Sequence, residues 1–164
     1  LFKLSITDKL TGLYNRVKLD SVLQENMSLS LRYGNIFSVI IIDIDFFKKI
    51  NDNFGHQVGD DVLKECSYIL SQNIRNVDTL GRWGGEEFLV VCPETLKDGA
   101  KDLAIKLNKA IKLHKFSTYP HSVTISVGVA SCSVNDLNYD DIISNADKAL
   151  YEAKNNGRDR VEIF

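Results

Sequence analysis

The segment FSVIIIDID, residues 37–45, constrains the fold of this 164-residue chain more than any other. Its β-branched, nearly unbroken apolar run reads as part of a buried strand over 35–45. The run ends on two carboxylates, Asp43 and Asp45. Side chains at i and i+2 share one face of a strand. The two charges therefore repel each other where both lose hydration, and a divalent cation would relieve both problems. The competing reading makes Asp45 a cap for the following helix and leaves Asp43 solvated.

A short helical turn, FFKKIND, follows the strand. Apolar periodicity predicts helices over 15–32, 59–73, 96–113 and 139–156. In the second of these, Val62, Leu63, Cys66, Ile69, Leu70 and Ile74 fall on one stripe. Gly157 is a natural cap for the last. Residues 79–83 and 86–92 read as strands joined by Gly84-Gly85, a hairpin signal because the favoured turns need positive φ. VTISVGV alternates as a half-buried strand over 123–129, and 160–164 form a short last strand. From residue 35 the order is β-α-α-β-β-α-β-α-β. Without its extra elements this is the βαββαβ, ferredoxin-like or palm-like core. The expected class is α+β: a mainly antiparallel sheet covered by helices on one face, with an added N-terminal helix and β-hairpin.

Length predicts a single domain spanning 1–164. No apolar run approaches the roughly 18 residues of a membrane helix, and LFKLSITDK lacks the apolar stretch of a signal peptide. Lys plus Arg number 20 against 22 acidic residues, for a net charge of −2. That balance argues against DNA or RNA as a partner but leaves room for a nucleotide. Cys66, Cys92 and Cys132, odd in number and irregularly spaced, read as buried thiols in a reducing compartment.

A second acidic pair, Glu86-Glu87, follows the glycines. In a ferredoxin-like sheet the hairpin lies beside the first strand, so its tip would bring Glu86 near Asp43. Such hard oxygen ligands with open positions suit Mg²⁺; the alternative is that the glutamates guard a sheet edge. Gly84 and Gly85 would let a ligand approach the backbone. Lys48, Lys154 and Arg158 are candidates to meet phosphate oxygens, although the last two also suit a helix C-terminus. Asn51 and Asp60 can read a guanine edge; otherwise both cap helices, and His56 packs locally.

Together these residues resemble the GGDEF family of diguanylate cyclases. The signature is Gly84-Gly85-Glu86-Glu87-Phe88, the GGEEF form. DKLTGLYNR and IDIDFFKKINDNFGHQVGDDVL precede it, and VTISVGVA and ADKALYEAKNNGRD follow. Five ordered segments cover about residues 6 to 163. The resemblance implies condensation of two GTP into cyclic di-GMP and two pyrophosphates. It implies Mg²⁺, or Mn²⁺, held by Asp43, the Ile44 carbonyl and Glu86. Glu86 or Glu87 would assist deprotonation of the ribose 3′-OH, and Lys48 would stabilise charge at the reacting phosphate. Asn51, Asp60 and His56 match guanine and substrate contacts. Lys48, Lys154, Arg158 and the backbone N–H groups of Phe46 and Phe47 match phosphate contacts. Each domain would hold one GTP, so two must meet as a transient homodimer.

The resemblance also assigns Arg75-Asn76-Val77-Asp78, an RxxD five residues before Gly84, to an inhibitory site for the product. Its structural alternative is a surface salt bridge. A second cationic contact would come from Lys106 or a neighbour. A catalytically silent GTP or cyclic di-GMP receptor is the competing function, and a cyclase for another nucleotide is a third. The chain is expected to be cytoplasmic and cut from a longer protein, membrane-anchored or not, that carries an upstream sensory or receiver domain.

Overall fold

The computed structural model describes residues 5–164. Ten elements follow in order: α1 (Arg16–Tyr33), β1 (Ser38–Ile44), α2 (Phe47–Phe54), α3 (His56–Gln72), β2 (Thr79–Gly84), β3 (Glu87–Cys92), α4 (Lys97–Leu113), β4 (Ile125–Ser131), α5 (Tyr139–Asn155) and β5 (Arg160–Ile163). The strands form one sheet in the order β2-β3-β1-β4-β5. The first four pair antiparallel and reproduce the βαββαβ core; β5 adds parallel to β4 through α5. Every residue of β1 is buried, as a central strand requires.

Helices cover both faces, not the one expected. Ile40, Ile42, Phe88 and Val90 pack with α3 and α4. Val39, Ile41, Leu89 and Val91, on the opposite face, pack with α1 and α5. The reason is in β1 and β3 themselves, whose apolar residues do not alternate with polar ones. An open face would leave these side chains in water at about 1.5–3 kcal/mol each. Close packing of α5 depends on Gly128 in β4, where a Cβ would run into the Ala146 carbonyl and the Leu150 backbone.

The hairpin turns one residue later than the sequence suggests. Gly84 pairs with Glu87, leaving Gly85-Glu86 as the turn, with Gly85 at φ +43°. A register shift between Arg82 and Gly84 absorbs the extra residue at Trp83, whose ring lies 3.3 Å from the Arg16 guanidinium carbon. The outer edge of β2 is shielded by Tyr14, which bridges to Gly81. All three cysteines are free and buried. No helix among the described residues is long and apolar enough to cross a membrane.

Candidate active site

The ends of β1 and β3 put three carboxylates together. Asp43 is the direct cross-strand partner of Glu87. Glu86 sits on the turn, where its carbonyl accepts a hydrogen bond from the Ile44 N–H at 3.3 Å. One cation answers them: Lys154 Nζ, near the end of α5, donates to Asp43 Oδ2 at 2.9 Å. Burial pushes the Asp43 carboxyl above its ordinary range; Lys154 opposes this, and Glu86 and Asp45 add to it. Burial also pushes Glu87 up, reinforced by Asp43 and Asp147. Asp147 on α5 is itself raised by burial, against Lys154 and Arg16. Negative charge is therefore in excess at this end of the sheet.

That excess, not a closed cage, is the ground on which a metal fits. The described residues contain no group of three His, Cys, Asp or Glu side chains set to hold an ion. Mg²⁺ takes one or two protein carboxylates and fills its remaining positions with water and substrate phosphate. Asp43, the Ile44 carbonyl and Glu86 supply hard oxygens of this open kind.

Asp45 behaves differently from Asp43. Its Oδ1 accepts from Ser126 Oγ at 2.6 Å, and its Oδ2 accepts from Thr124 Oγ1 at 2.7 Å and the Asp159 N–H at 3.0 Å. With its oxygens engaged in this way it neither pairs with Asp43 on a cation nor caps α2. The N-cap of α2 is Phe46, in the left-handed region at φ 56°, with no side-chain cap.

An uncapped helix start exposes N–H groups to an anion. Here the Phe47, Lys48 and Lys49 N–H groups precede the Ile50 N–H, which closes on the Phe46 carbonyl. The Arg158 guanidinium carbon lies 4.6 Å from the centre of the exposed Phe46 ring. Lys48 does not converge on this point: its side chain is 92% exposed and 3.9 Å from Asp52.

The α2–α3 elbow holds the other candidates. Gly55 ends one helix and starts the next at φ 89°. Neither Asn51 nor Asp60 caps a helix. A Cβ on Gly59 would collide with the Asn51 amide, so Gly59 lets Asn51 lie against α3 beside Asp60. Neither side chain has a hydrogen-bond partner among the described residues, which leaves both free for a ligand edge. His56 is exposed at the first position of α3.

Sequence reasoning missed Arg82 and Asp8. Arg82 Nε donates to the Gly85 carbonyl at 2.9 Å, and its Nη1 reaches both Asp8 oxygens at 3.3 Å. Burial raises the Asp8 carboxyl, but hydrogen bonds from Thr11 and the Arg82 charge bring it below its ordinary range. Arg82 thus ties the Gly85-Glu86 turn to the N-terminal segment. The arginine beside GGEEF was the available signal; its partner lies 74 residues away.

At the other end of β2, Arg75 forks onto Asp78 through Nε at 3.2 Å and Nη2 at 2.8 Å. The same Nη2 donates to Thr95 Oγ1 at 2.6 Å, and the Arg75 N–H donates to Asp78 Oδ2 at 2.9 Å. The Asp78 side chain is fully buried. Lys106 is exposed on α4.

A family model described as the diguanylate cyclase GGDEF domain matches residues 5–160. The response regulator PleD of Caulobacter vibrioides is 38% identical over 97% of this chain and 36% of its own length. Diguanylate cyclase A of Treponema denticola is 38% identical over 99% of this chain and 45% of its own. The chain spans less than half the length of these relatives. Among solved structures, the diguanylate cyclase SiaD of Pseudomonas aeruginosa, in complex with its activator SiaC, is 38% identical over 98% of this chain and 62% of its own, with a TM-score of 0.91. The GGDEF domain of DgcB from Caulobacter crescentus, in complex with c-di-GMP, is 26% identical over 99% and 98%, with a TM-score of 0.91.

Proposed function

This chain belongs to the GGDEF family of diguanylate cyclase domains, and on that premise we propose that it condenses two GTP into cyclic di-GMP and two pyrophosphates in a Mg²⁺-dependent reaction. The apposition of Asp43 and Glu87, with Glu86 on the adjacent turn and the uncapped start of α2 beside them, carries this reading. It juxtaposes an acidic site for a cation and proton with an N–H-rich site for phosphate.

Asp60 accepts from the guanine edge, where Asn51 can accept or donate, with His56 nearby. The N–H groups at the start of α2, with Lys154, Arg158 and Lys48, meet the triphosphate. Asp43, the Ile44 carbonyl and Glu86 hold Mg²⁺, or Mn²⁺; when bound, the ion neutralises phosphate charge and lowers the pKa of the attacking hydroxyl. The ribose 3′-oxygen of one GTP forms a bond to the α-phosphorus of the other. The bond from that phosphorus to the α,β-bridging oxygen breaks, and pyrophosphate leaves. Glu87, directly across from Asp43, or Glu86 on the adjacent turn takes the hydroxyl proton. Lys48, extended in solvent, would close on the reacting phosphate only with substrate present.

One domain carries one such site, so two domains must face each other with two-fold symmetry. Arg75 and Asp78 serve as the product's inhibitory site, supported by a buried carboxylate that holds the guanidinium fork in place. A GTP-consuming reaction and free buried thiols both suit the cytoplasm.

The deciding experiment is incubation of the chain with GTP and Mg²⁺, with products identified by mass. Cyclic di-GMP and pyrophosphate in a one-to-two ratio support the assignment. GTP bound but unchanged at all enzyme concentrations would make the domain a receptor instead.

A further inference from the structure

We infer that Asp159, clasped by α4 and by Asp45, is a positioning residue that holds Arg158 over the phosphate end of the site. The inference rests on the proposed GTP site but concerns residues outside it.

The chain leaves α5 through three consecutive residues with positive φ: Gly157 at 114°, Arg158 at 63° and Asp159 at 46°. Glycine accepts such angles; two further non-glycine residues do so only where their surroundings over-determine the backbone. The surroundings here are specific. The Arg158 N–H closes on the Ala153 carbonyl at 2.9 Å, ending the helix. The Asp159 N–H donates to Asp45 Oδ2 at 3.0 Å. The Asp159 carboxylate accepts from Lys112 Nζ at 2.6 Å and Asn108 Nδ2 at 3.3 Å, both on α4. Asp45 is anchored in turn by Ser126 and Thr124. Asn108 donates a second bond, at 3.0 Å, to the Ile125 carbonyl at the start of β4.

α4 and Asp45 therefore grip one strained residue. Its immediate neighbour Arg158 extends over Phe46, the N-cap of α2, which has positive φ itself. Lys154 lies one helical turn earlier on the same segment and reaches Asp43. Fixing Asp159 thus fixes where its neighbour Arg158 stands relative to the α2 N–H groups and to Lys154. The ion pair from Lys112 adds little to stability, because Lys112 is 53% exposed and a surface ion pair of that kind contributes little to folding.

The test compares two probes in the full chain. α,β-Methylene-GTP carries the triphosphate but cannot release pyrophosphate, and guanosine carries only the base and ribose. Asp159→Gly keeps a backbone that tolerates positive φ while removing the carboxylate; Lys112→Met removes its ionic partner. Both variants should bind the methylene analogue about tenfold more weakly, as expected for a charge-assisted phosphate contact displaced. Guanosine affinity and the unfolding midpoint should stay near parental values. Lys112→Arg should restore binding of the analogue.

Unchanged affinity for the analogue, or equal losses for both probes, would overturn the inference, as would failure of the parent to bind the analogue more tightly than guanosine. Turnover is scored separately. A parent that binds the analogue, loses it in the variants and yet makes no cyclic di-GMP would sink the cyclase assignment and leave the positioning role standing.

Discussion

The two ends of β2 treat their buried charge in opposite ways. At its start Asp78 is fully buried yet paired with both arms of the Arg75 fork and a backbone N–H. At its end, beyond the turn, Lys154 is shared among Asp43, Glu87 and Asp147, Arg16 adds its charge at Asp147, Glu86 sits on the adjacent turn, and burial pushes Asp43, Glu87 and Asp147 toward their protonated forms. The first end is complete as it stands, with the Arg75 guanidinium held in place by Asp78 and Thr95. The second holds uncompensated negative charge that only a further cation, or a proton, relieves. The two proposed roles, inhibitory recognition and chemistry, would thereby make different demands on one strand: geometry already satisfied, and electrostatics left open.

Removing a charge from the open end should have the largest effect. Asp43→Asn or Glu86→Gln should lower cyclic di-GMP formation by about a hundredfold to a thousandfold, measured by product mass at saturating Mg²⁺, with circular dichroism unchanged. Near-parental turnover in either variant would mean that the excess charge serves some other purpose.

The proposed condensation also calls for a second domain facing the open end. Specific activity should rise with enzyme concentration and then level off, and fusion of a leucine zipper ahead of Leu1 should abolish the dependence by raising the effective partner concentration to the millimolar range, about 1 mM. Constant specific activity over several decades of dilution, with a monomer verified by light scattering, would rule out catalysis between domains.

At the closed end, Arg75→Ala or Asp78→Ala should raise the cyclic di-GMP concentration needed for half-inhibition by about tenfold or more while GTP turnover continues. Equal inhibition of variants and parent would reduce the RxxD to a surface pair.

The smallest effect tests the electrostatics alone. A carboxyl raised in the folded state stabilises the fold fully below its unfolded value, about 4.3 for glutamate, and that stability is lost as pH rises through the raised value. Glu87→Gln should therefore raise the unfolding midpoint by about 2 °C near pH 8 without Mg²⁺. The gain should shrink toward pH 4, where parent and variant carry the same charge. A gain independent of pH would locate the effect in packing.

Much of the fold was legible because its signals are local. The apolar run before Asp43 reads as a buried strand, and the helix stripes needed only periodicity. The hairpin was legible to within one residue; the shift arises where Trp83 bulges under Arg16, a contact across 67 positions that no turn rule contains. Coverage of both sheet faces was implied by the uniform apolarity of β1 but overlooked, because the βαββαβ pattern alone places helices on one side.

Sequence by itself determined the chemistry: which acids, cations and amides were available, their order and their family. Tertiary structure decided which of them act together. Asp43 and Asp45 are indistinguishable in IDID, yet one meets Lys154, 111 residues on, and stays undercompensated, while the other is satisfied by Thr124, Ser126 and Asp159. Burial, charge compensation and strain are set by neighbours distant in the chain, and those neighbours are assembled only when the sheet closes.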